Sequence, residues 1–244
     1  MTRGRDALDI VWSGDREVAV WKPAGLSSER PASNGAPLES AISIARRQFG
    51  WPDAQLPHRL DRPTSGILVV AADGAVAAMH AEEQRAGLWT KWYLARIPAF
   101  GRSGAPASSL VGAVRAYIRR RGRLAEVVRS GGDPARHEVL AVAPSVDRPG
   151  HCHALLRLDT GRFHQIRVLC AAAGFPLVGD ADYGSSDATR PMQLVAAGLR
   201  LARAAGTVRM FVGVDRIEGV GTDLPSRLVS ALGSPADGKG EAPA

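Results

Sequence analysis

The chain has 244 residues, 45% of them hydrophobic and 23% charged, so it is long enough to bury a core and has an ordinary globular composition. Its net charge of +7 and its pI of about 10.2 favour a polyanionic partner such as nucleic acid, although an anionic membrane surface would also suit them. With two cysteines, no signal peptide and no apolar run of spanning length, we expect a reduced, cytoplasmic protein without a disulfide framework or a membrane span.

The first fifty residues predict a hairpin followed by a helix. Residues 10–12 and 17–21 are rich in apolar side chains and flank a turn, which is typical of a β-hairpin. A loop rich in Pro, Ser, Asn and Gly follows. Apolar residues then recur at helical spacing, at Leu38, Ile42, Ala45 and Phe49. Gly50 is expected to end this helix.

The next segment predicts strand, helix and strand. A continuous apolar run over 67–72 is typical of a buried strand. Asp73 is placed to cap a helix that runs to about Ala86 and stops at Gly87. A further strand is predicted over 89–97.

The middle of the chain predicts short strands separated by basic turns. These strands fall within 111–143, and the part from 115 to 136 holds seven arginines against two acidic residues. A net charge of +5 in so short a segment makes it a candidate patch for nucleic acid.

The remaining segment predicts a strand, a helix and two closing strands. The strand covers 151–158, the helix covers roughly 163–173, and the closing strands cover 192–201 and 207–214. One face of the helix is expected to carry the apolar residues Ile166, Leu169, Cys170 and Ala173.

Strands predominate and helices interrupt them irregularly, which predicts a single α+β domain. We place this domain at 8–232, after an N-terminal extension over 1–7 and before a disordered tail over 233–244, which has few apolar residues.

A carboxylate between two arginines is the first candidate for chemistry. Asp61 lies between Arg59 and Arg62 in a turn directly before the strand at 67–72. Neighbouring guanidiniums keep a carboxylate ionised and also attract phosphates, so the turn suits catalysis or the binding of a phosphate group. An arginine-rich surface turn with ordinary ion pairs is the alternative.

Two further segments offer groups for a nucleic-acid substrate. Tyr93, on the strand at 89–97, has a ring for stacking and a hydroxyl for proton transfer. A core tyrosine with its hydroxyl satisfied is the alternative. Arg162 opens a predicted helix whose first turn is polar, and a helix N-terminus binds anions. From that turn Gln165 and Arg167 are candidates to reach a base edge or a carboxylate, unless they are simply solvated.

The histidines of His151-Cys152-His153 face one side of a strand, but no third metal ligand follows at a suitable spacing, so we expect no metal site there.

Taken together and in order, these segments resemble the RluA-type family of RNA pseudouridine synthases. The resemblance spans about residues 8 to 215 and rests on five motifs, namely Lys22-Pro23-Ala24-Gly25-Leu26, the nine residues from His58 to Gly66, Lys91 to Ala95, Gly161 to Val168 and Gly179 to Gly184.

The resemblance implies a mixed, mainly antiparallel sheet with flanking helices and a central RNA-binding cleft. It also implies isomerisation of uridine in rRNA or tRNA without cofactor or metal. The catalytic residues would be Asp61, Tyr93 and Arg167, with Arg167 as the ionic partner of Asp61. Arg59 would replace the flipped uridine in the RNA stack. The expected RNA contacts are Arg59, Arg62, Arg162, His164, Gln165, Arg119, Arg120 and Arg121.

Some residues depart from the family pattern, namely Phe163, Leu169, Cys170 and Val195. The departures bear mainly on the choice of substrate. They leave open a catalytically weak, synthase-like protein that binds or folds RNA. The N-terminal S4 RNA-binding module of many relatives is expected to be absent, and a monomer is the default expectation.

Overall fold

The computed structural model describes residues 7–29, 39–187, 191–202 and 208–213. Its strands are β1 (Asp9–Ser13), β2 (Glu17–Lys22), β3 (Ser65–Ala71), β4 (Trp89–Pro98), β5 (Gly112–Arg121), β6 (Leu124–Val128), β7 (Asp133–Pro144), β8 (His151–Leu158), β9 (Leu194–Ala202) and β10 (Val208–Val212). Its α-helices are α1 (Ala41–Phe49), α2 (Gly74–Arg85) and α3 (Gln165–Ala172), and short 3-10 helices cover Ala107–Leu110 and Ala181–Tyr183. The predicted α+β class is confirmed.

The described residues group into two compact units. Unit 1 comprises 7–29, 39–89, 198–202 and 208–213, and unit 2 comprises 90–187 and 191–197. The predicted extension over 1–7 and the predicted tail over 233–244 lie almost wholly outside the described residues, and the boundaries proposed for the catalytic domain stay a prediction.

Unit 1 is built on antiparallel strands. β2 pairs with β1 on one side and with β3 on the other, so that Glu17 lies opposite Ala71. β9 pairs antiparallel with β10. One apolar cluster joins these strands and contains Ala19, Ile67, Val69, Trp89, Leu199, Leu201 and Phe211. This cluster covers one face of β3, and Leu68 and Val70 are buried on the other face, which accounts for the continuous apolar run of β3.

Helix α2 begins after its predicted cap, and both helices of unit 1 end close to the predicted residues. Helix α1 begins at Ala41, whereas Leu38, which was predicted to belong to it, lies outside the described residues. Ser40 and Ser43 form a reciprocal capping box at the start of α1, and Gly50 ends it with φ of 68°, a left-handed conformation that favours glycine. Asp73 accepts hydrogen bonds from the backbone of Ala75 and Val76 at the start of α2.

A buried ionic cluster in unit 1 was not visible in the sequence. His80 is fully buried, and its ring nitrogens lie 2.7 Å from Glu17 Oε2 and 3.0 Å from Glu83 Oε2. Arg209 Nη1 donates to Glu17 Oε1 over 2.6 Å, and Trp89 Nε1 donates to Glu83 Oε2 over 3.3 Å. The two carboxylates are therefore held by neighbours rather than by water.

Replacing His80 by leucine is expected to lower the free energy of unfolding by about 3 kcal/mol, because both buried carboxylates lose a partner. Urea denaturation measures the change. Glu82→Gln is the matched control on the same helix, since the Glu82 side chain is 75% exposed, and its effect should stay within about 0.5 kcal/mol. Equal stability of His80→Leu and wild type would contradict a stabilising role for the cluster.

Unit 2 is a five-stranded antiparallel arrangement in the order β4-β8-β7-β5-β6. Helix α3 packs against one face of these strands. Its residues Ile166 and Cys170 join the cluster of Ala95, Ala154 and Leu156, and Val168 and Leu169 join the cluster of Ile118, Ala125 and Ala135. We call this side of the strands the α3 face.

The predicted apolar face of α3 needs one correction. Ala173 is exposed because the helix ends at Ala172, and Val168 is buried in the core instead. Among the described residues, no helix is long and apolar enough to cross a membrane.

Candidate active site

Asp61 lies in unit 1, in the loop over 58–66 that leads into β3, hereafter the Asp61 loop. Its side chain is half-buried, and its carbonyl accepts a hydrogen bond of 3.0 Å from the backbone N–H of Thr64. This bond closes a tight turn. The carboxylate is therefore presented at the entrance to a buried strand, where a rigid scaffold can position a reactive group.

The segment over 22–28 holds the Asp61 loop from one side. Ser28 Oγ donates to the Leu60 carbonyl over 2.7 Å and accepts from the Leu60 N–H over 3.0 Å. Gly25 N–H donates to the Arg62 carbonyl over 2.8 Å, and Arg62 Nε donates to the Gly25 carbonyl over 3.0 Å. Gly25 has φ of 84°, which favours glycine there. The first two motifs therefore form one hydrogen-bonded piece around Asp61.

Lys22 is the residue of this piece to which the sequence analysis gave no role. It is fully buried, and its Nζ donates to the carbonyls of Leu26 over 2.8 Å and of Pro23 over 3.0 Å, and more weakly to that of Arg62 over 3.4 Å. Burial lowers the pKa of Lys22 to about 8, and the nearby charge of Asp61 opposes that shift. Lys22 therefore fixes the loop and brings a buried amine close to the candidate nucleophile. The only sequence signal was a lysine at the end of a buried strand.

The lowered pKa of Lys22 predicts a pH-dependent stability. The unfolded chain, with a lysine pKa of 10.5, binds the proton more tightly than the folded chain does. Stability therefore rises with pH between about 8 and 10.5, by up to about 1.4 kcal/mol per pH unit for one proton. Lys22→Met is expected to remove this contribution to the slope of the free energy of unfolding against pH. Urea unfolding at several pH values between 8 and 10 measures that slope.

Two variants complete that measurement. Burial also lowers the pKa of Lys91 to about 8, so Lys91→Met should remove a similar share of the slope. Arg85→Met, which replaces an exposed guanidinium rather than a buried amine, should leave unchanged the slope of the free energy of unfolding against pH. A slope in Lys22→Met equal to that of wild type would contradict the assignment.

The arginines on either side of Asp61 differ in their surroundings. Arg59 is exposed and its Nη1 lies 2.8 Å from Glu29 Oε2, an ion pair open to solvent. Arg62 is anchored to Gly25 as described above. His58, the first residue of the loop, has a structural task, because its Nε2 accepts the Val69 N–H over 3.0 Å.

Arg167 lies in unit 2 and is held by an aspartate pair. It is 3% exposed, and its Nε and Nη2 donate to the two oxygens of Asp180 over 2.8 Å and 2.7 Å. Nη2 also donates to Asp182 Oδ2 over 3.1 Å, and the guanidinium lies 5.0 Å from the Tyr183 ring centre. The bidentate pair fixes the plane of the guanidinium.

Asp180 was not predicted as a partner of Arg167, although it lies in the motif from Gly179 to Gly184. The expected ionic pairing of Arg167 with Asp61 stays a prediction, because Asp61 belongs to unit 1 and Arg167 to unit 2.

His164 couples Arg167 to Tyr183. Its Nε2 accepts from Arg167 Nη1 over 2.9 Å, so Nδ1 carries the proton and donates to Tyr183 Oη over 3.0 Å. Burial, followed by the charge of Arg167, lowers the pKa of His164 to about 4 and keeps the ring neutral. His164 has φ of 54°, and its ring stacks on Phe163 at 3.8 Å. Both ring nitrogens of His164, a residue predicted to contact RNA, are thus hydrogen-bonded inside the protein.

Gln165 requires a correction of the predicted RNA contact. Its side chain is buried, its Oε1 accepts from Thr160 Oγ1 and from the Arg162 N–H, and its Nε2 donates to the Arg136 carbonyl. The amide holds the loop before α3 and does not face solvent. Arg162, which was also predicted to bind RNA, is exposed and donates from Nε to the Pro134 carbonyl over 3.2 Å.

The three arginines predicted at 119–121 lie on the hairpin of β5 and β6 and are exposed. Glu126 pairs with two of them: its Oε1 lies 2.6 Å from Arg119 Nη2, and its Oε2 lies 3.4 Å from Arg121 Nη1. The guanidinium of Arg120 lies 4.6 Å from the ring centre of Phe163. Phe163, a departure from the family pattern, therefore lies against both Arg120 and His164.

Tyr93 lies on β4 in unit 2, opposite Leu156 of β8, and is half-buried. It packs against the cluster that contains Ile166, so its ring is on the α3 face. Lys91 lies two residues earlier and projects to the same side of the strand. Unit 2 therefore brings Tyr93 and Arg167 to one face of its sheet.

No metal centre is found in the part of the chain that the structure describes, where no three His, Cys, Asp or Glu side chains are placed to hold an ion. His153 Nε2 instead lies 3.1 Å from Ser145 Oγ and 3.4 Å from Arg96 Nη2. Cys152 and Cys170 are unpaired and buried, and burial raises the pKa of Cys170 to about 12.

The fold and these motifs agree with the comparison to known proteins. The chain belongs to the RNA pseudouridylate synthase family, whose model matches residues 17–172. Within that family it is of the RluA type, as the resemblance implied.

Three curated relatives illustrate the similarity. The chain is 32% identical over 181 residues to ribosomal large subunit pseudouridine synthase D of Xylella fastidiosa, covering 73% of this chain and 52% of the relative. It is 34% identical over 188 residues to the protein of the same name from Neisseria meningitidis, and the match covers 73% of this chain and 46% of the relative. It is 32% identical over 181 residues to the dual-specificity RNA pseudouridine synthase RluA of Escherichia coli, covering 74% and 79%. The chain thus spans about half the length of the first two relatives.

Two solved structures share the fold. Human RNA pseudouridylate synthase domain containing 1 aligns with a TM-score of 0.73 at 24% identity, covering 98% of this chain and all of the other. Human RNA pseudouridylate synthase domain containing 4 aligns with a TM-score of 0.64 at 20% identity, covering 92% and 91%.

Proposed function

We propose that the protein is an RNA pseudouridine synthase that isomerises specific uridines in rRNA or tRNA, with no cofactor or metal. Family membership supports the reaction class. The observation that carries the assignment to this chain is the Asp61 loop, which is held by Ser28, Gly25 and Lys22 so that one carboxylate stands at its turn.

The proposed reaction rearranges the uridine without adding or removing atoms overall. The N1–C1′ glycosidic bond breaks, the base turns, C5 bonds to C1′, and the proton of C5 is lost as N1 gains one. Asp61 starts the reaction either by attacking C1′ or by deprotonating the ribose. Both routes require an ionised carboxylate.

Three residues assist Asp61 in this mechanism. Arg167 supplies the cationic partner of the carboxylate, in a guanidinium plane fixed by Asp180. Tyr93 stacks on the flipped base and assists removal of the C5 proton. Lys22 holds the loop.

Arg59 fills the place that the uridine leaves in the RNA stack. Flipping costs a few kcal/mol of unstacking, and a stacked guanidinium offsets part of it. The ion pair of Arg59 with Glu29 is exposed on both sides and is worth little in water, so the guanidinium can leave it at small cost.

Further contacts to the RNA backbone come from exposed basic groups on both units. These are Arg62, Arg162, Arg119, Arg120 and Arg121, and His164 acts beside them by orienting Arg167. Phosphate contacts of this kind make affinity depend on salt. We further propose that the protein acts in the cytoplasm and as a monomer.

Release of tritium from RNA labelled at C5 of uridine tests this function. Wild-type protein is expected to release tritium from rRNA or tRNA transcribed without modifications, with pseudouridine appearing in equal amount. Binding of these RNAs without release would favour a catalytically weak, synthase-like RNA-binding protein and would contradict the proposal.

A further inference from the structure

The face of unit 2 opposite to α3 carries basic residues that the proposed mechanism does not use. On β5, Val114, Ala116 and Ile118 pack in the cluster that contains α3 residues. Since side chains alternate along a strand, Arg115 and Tyr117 project from the other face. We call this side of the strands the outer face.

Arg115 and Arg136 form a like-charged pair on the outer face. Ala135 belongs to the α3-face cluster, so its neighbour Arg136 also projects outward. The register of β5 and β7 places Arg115 directly opposite Arg136. Like charges directly opposite each other are destabilising, and cross-strand neighbours lie only about 5 Å apart at Cβ.

Neither of these arginines is neutralised in the part of the chain that the structure describes. Both are exposed, and neither side chain has an ion pair or a hydrogen bond there. This distinguishes them from Arg119 and Arg121, which share Glu126, and from Arg59, which pairs with Glu29. An anion between the two guanidiniums would relieve their repulsion.

The pair lines a polar cavity of about 330 Å³. Glu138, Arg157 and Asp159 also line it. Arg157 Nη2 lies 2.7 Å from Glu138 Oε2, and Arg157 Nε lies 3.7 Å from Asp159 Oδ1. Arg157 lies beside both carboxylates, and the charged side chains that line the cavity sum to +1, three arginines against two carboxylates.

Tyr117 adds an aromatic surface beside the pair. It follows Arg115 by two residues on β5, so both project from the outer face, and it is 48% exposed. A basic groove next to an exposed ring is the arrangement that binds single-stranded nucleic acid, by charge on the backbone and by stacking of bases.

We propose that Arg115 and Arg136 bind a phosphodiester of a single-stranded RNA segment flanking the modified uridine, while Tyr117 stacks on an adjacent base. This inference rests on the proposed RNA substrate. It assigns Arg115, Tyr117 and Arg136 on the outer face of unit 2 as a further RNA contact, in addition to the contacts already proposed.

The test measures binding without turnover, in Asp61→Asn protein, with a fluorescent 20-nucleotide oligouridylate. The double variant Arg115→Gln/Arg136→Gln is expected to raise Kd about tenfold at low salt. Loss of one bound phosphate should also reduce the slope of log K against log salt by about 0.7. Arg47→Gln/Arg85→Gln removes the same charge at two other exposed arginines and should change Kd less than twofold.

A second pair of measurements separates stacking from charge. Tyr117→Leu should raise Kd for the oligouridylate about fivefold and leave binding of inorganic polyphosphate, which has no base, unchanged. The inference is overturned if the arginine double variant binds the oligouridylate like its parent, or if the control double variant weakens binding equally. Failure of tritium release by the wild type would instead count against the proposed function and leave these binding results standing.

Discussion

Asp61→Asn is expected to slow tritium release by at least about 10³-fold, because the amide can neither attack C1′ nor accept a ribose proton. The substitution preserves the shape of the side chain and leaves the backbone hydrogen bonds of Leu60, Asp61 and Arg62 in place. Stability and RNA affinity should therefore change far less than the rate of tritium release. Single-turnover tritium release and urea unfolding measure the two effects.

The matched control for this experiment is Asp53→Asn, an exposed carboxylate in the same unit. Its rate of tritium release should remain within about twofold of wild type. An Asp61→Asn protein that turns over at the wild-type rate would show that another group starts the reaction.

Asp180→Asn is expected to lower the free energy of unfolding by about 3 kcal/mol, because it leaves the Arg167 guanidinium buried without its bidentate partner. For a chain of this size the change corresponds to a fall in Tm of about 6–12 °C. Tritium release should fall as well, since the guanidinium plane is no longer fixed. Asp180 acts as a positioning residue in this account.

Asp182→Asn is the matched control, since Asp182 also accepts from Arg167 but its side chain is 39% exposed. Water can replace that contact, so the loss should stay within about 1 kcal/mol. Equal losses in the two variants would contradict the distinction between the buried pair and the exposed one.

Most of the elements were predictable from the sequence because their signals are local. The apolar runs and turn of the first hairpin, the cap at Asp73 and the stop at Gly50 each depend on a few neighbouring residues. The Asp61 loop was predictable for the same reason, because residues that favour turns come directly before a buried strand.

The supports of the candidate site were not predictable, because they join residues distant in the chain. Ser28 binds Leu60 across 32 residues, and Arg167 binds Asp180 across 13. Gln165 lies in a polar segment that is typical of a solvated first helical turn, yet tertiary contacts bury its side chain. The sequence pattern shows which side chains are polar, but not which polar partners the fold brings to them.

The central claim is that this chain converts uridine to pseudouridine in RNA. It is tested most directly by mapping pseudouridine across the rRNA and tRNA of cells that lack the gene, before and after treatment with the purified protein. We expect at least one uridine to be unmodified in the deletion strain and to become pseudouridine with wild-type protein, but not with Asp61→Asn. A full set of pseudouridines in the deletion strain, together with none formed by the wild-type protein on unmodified RNA, would contradict the claim.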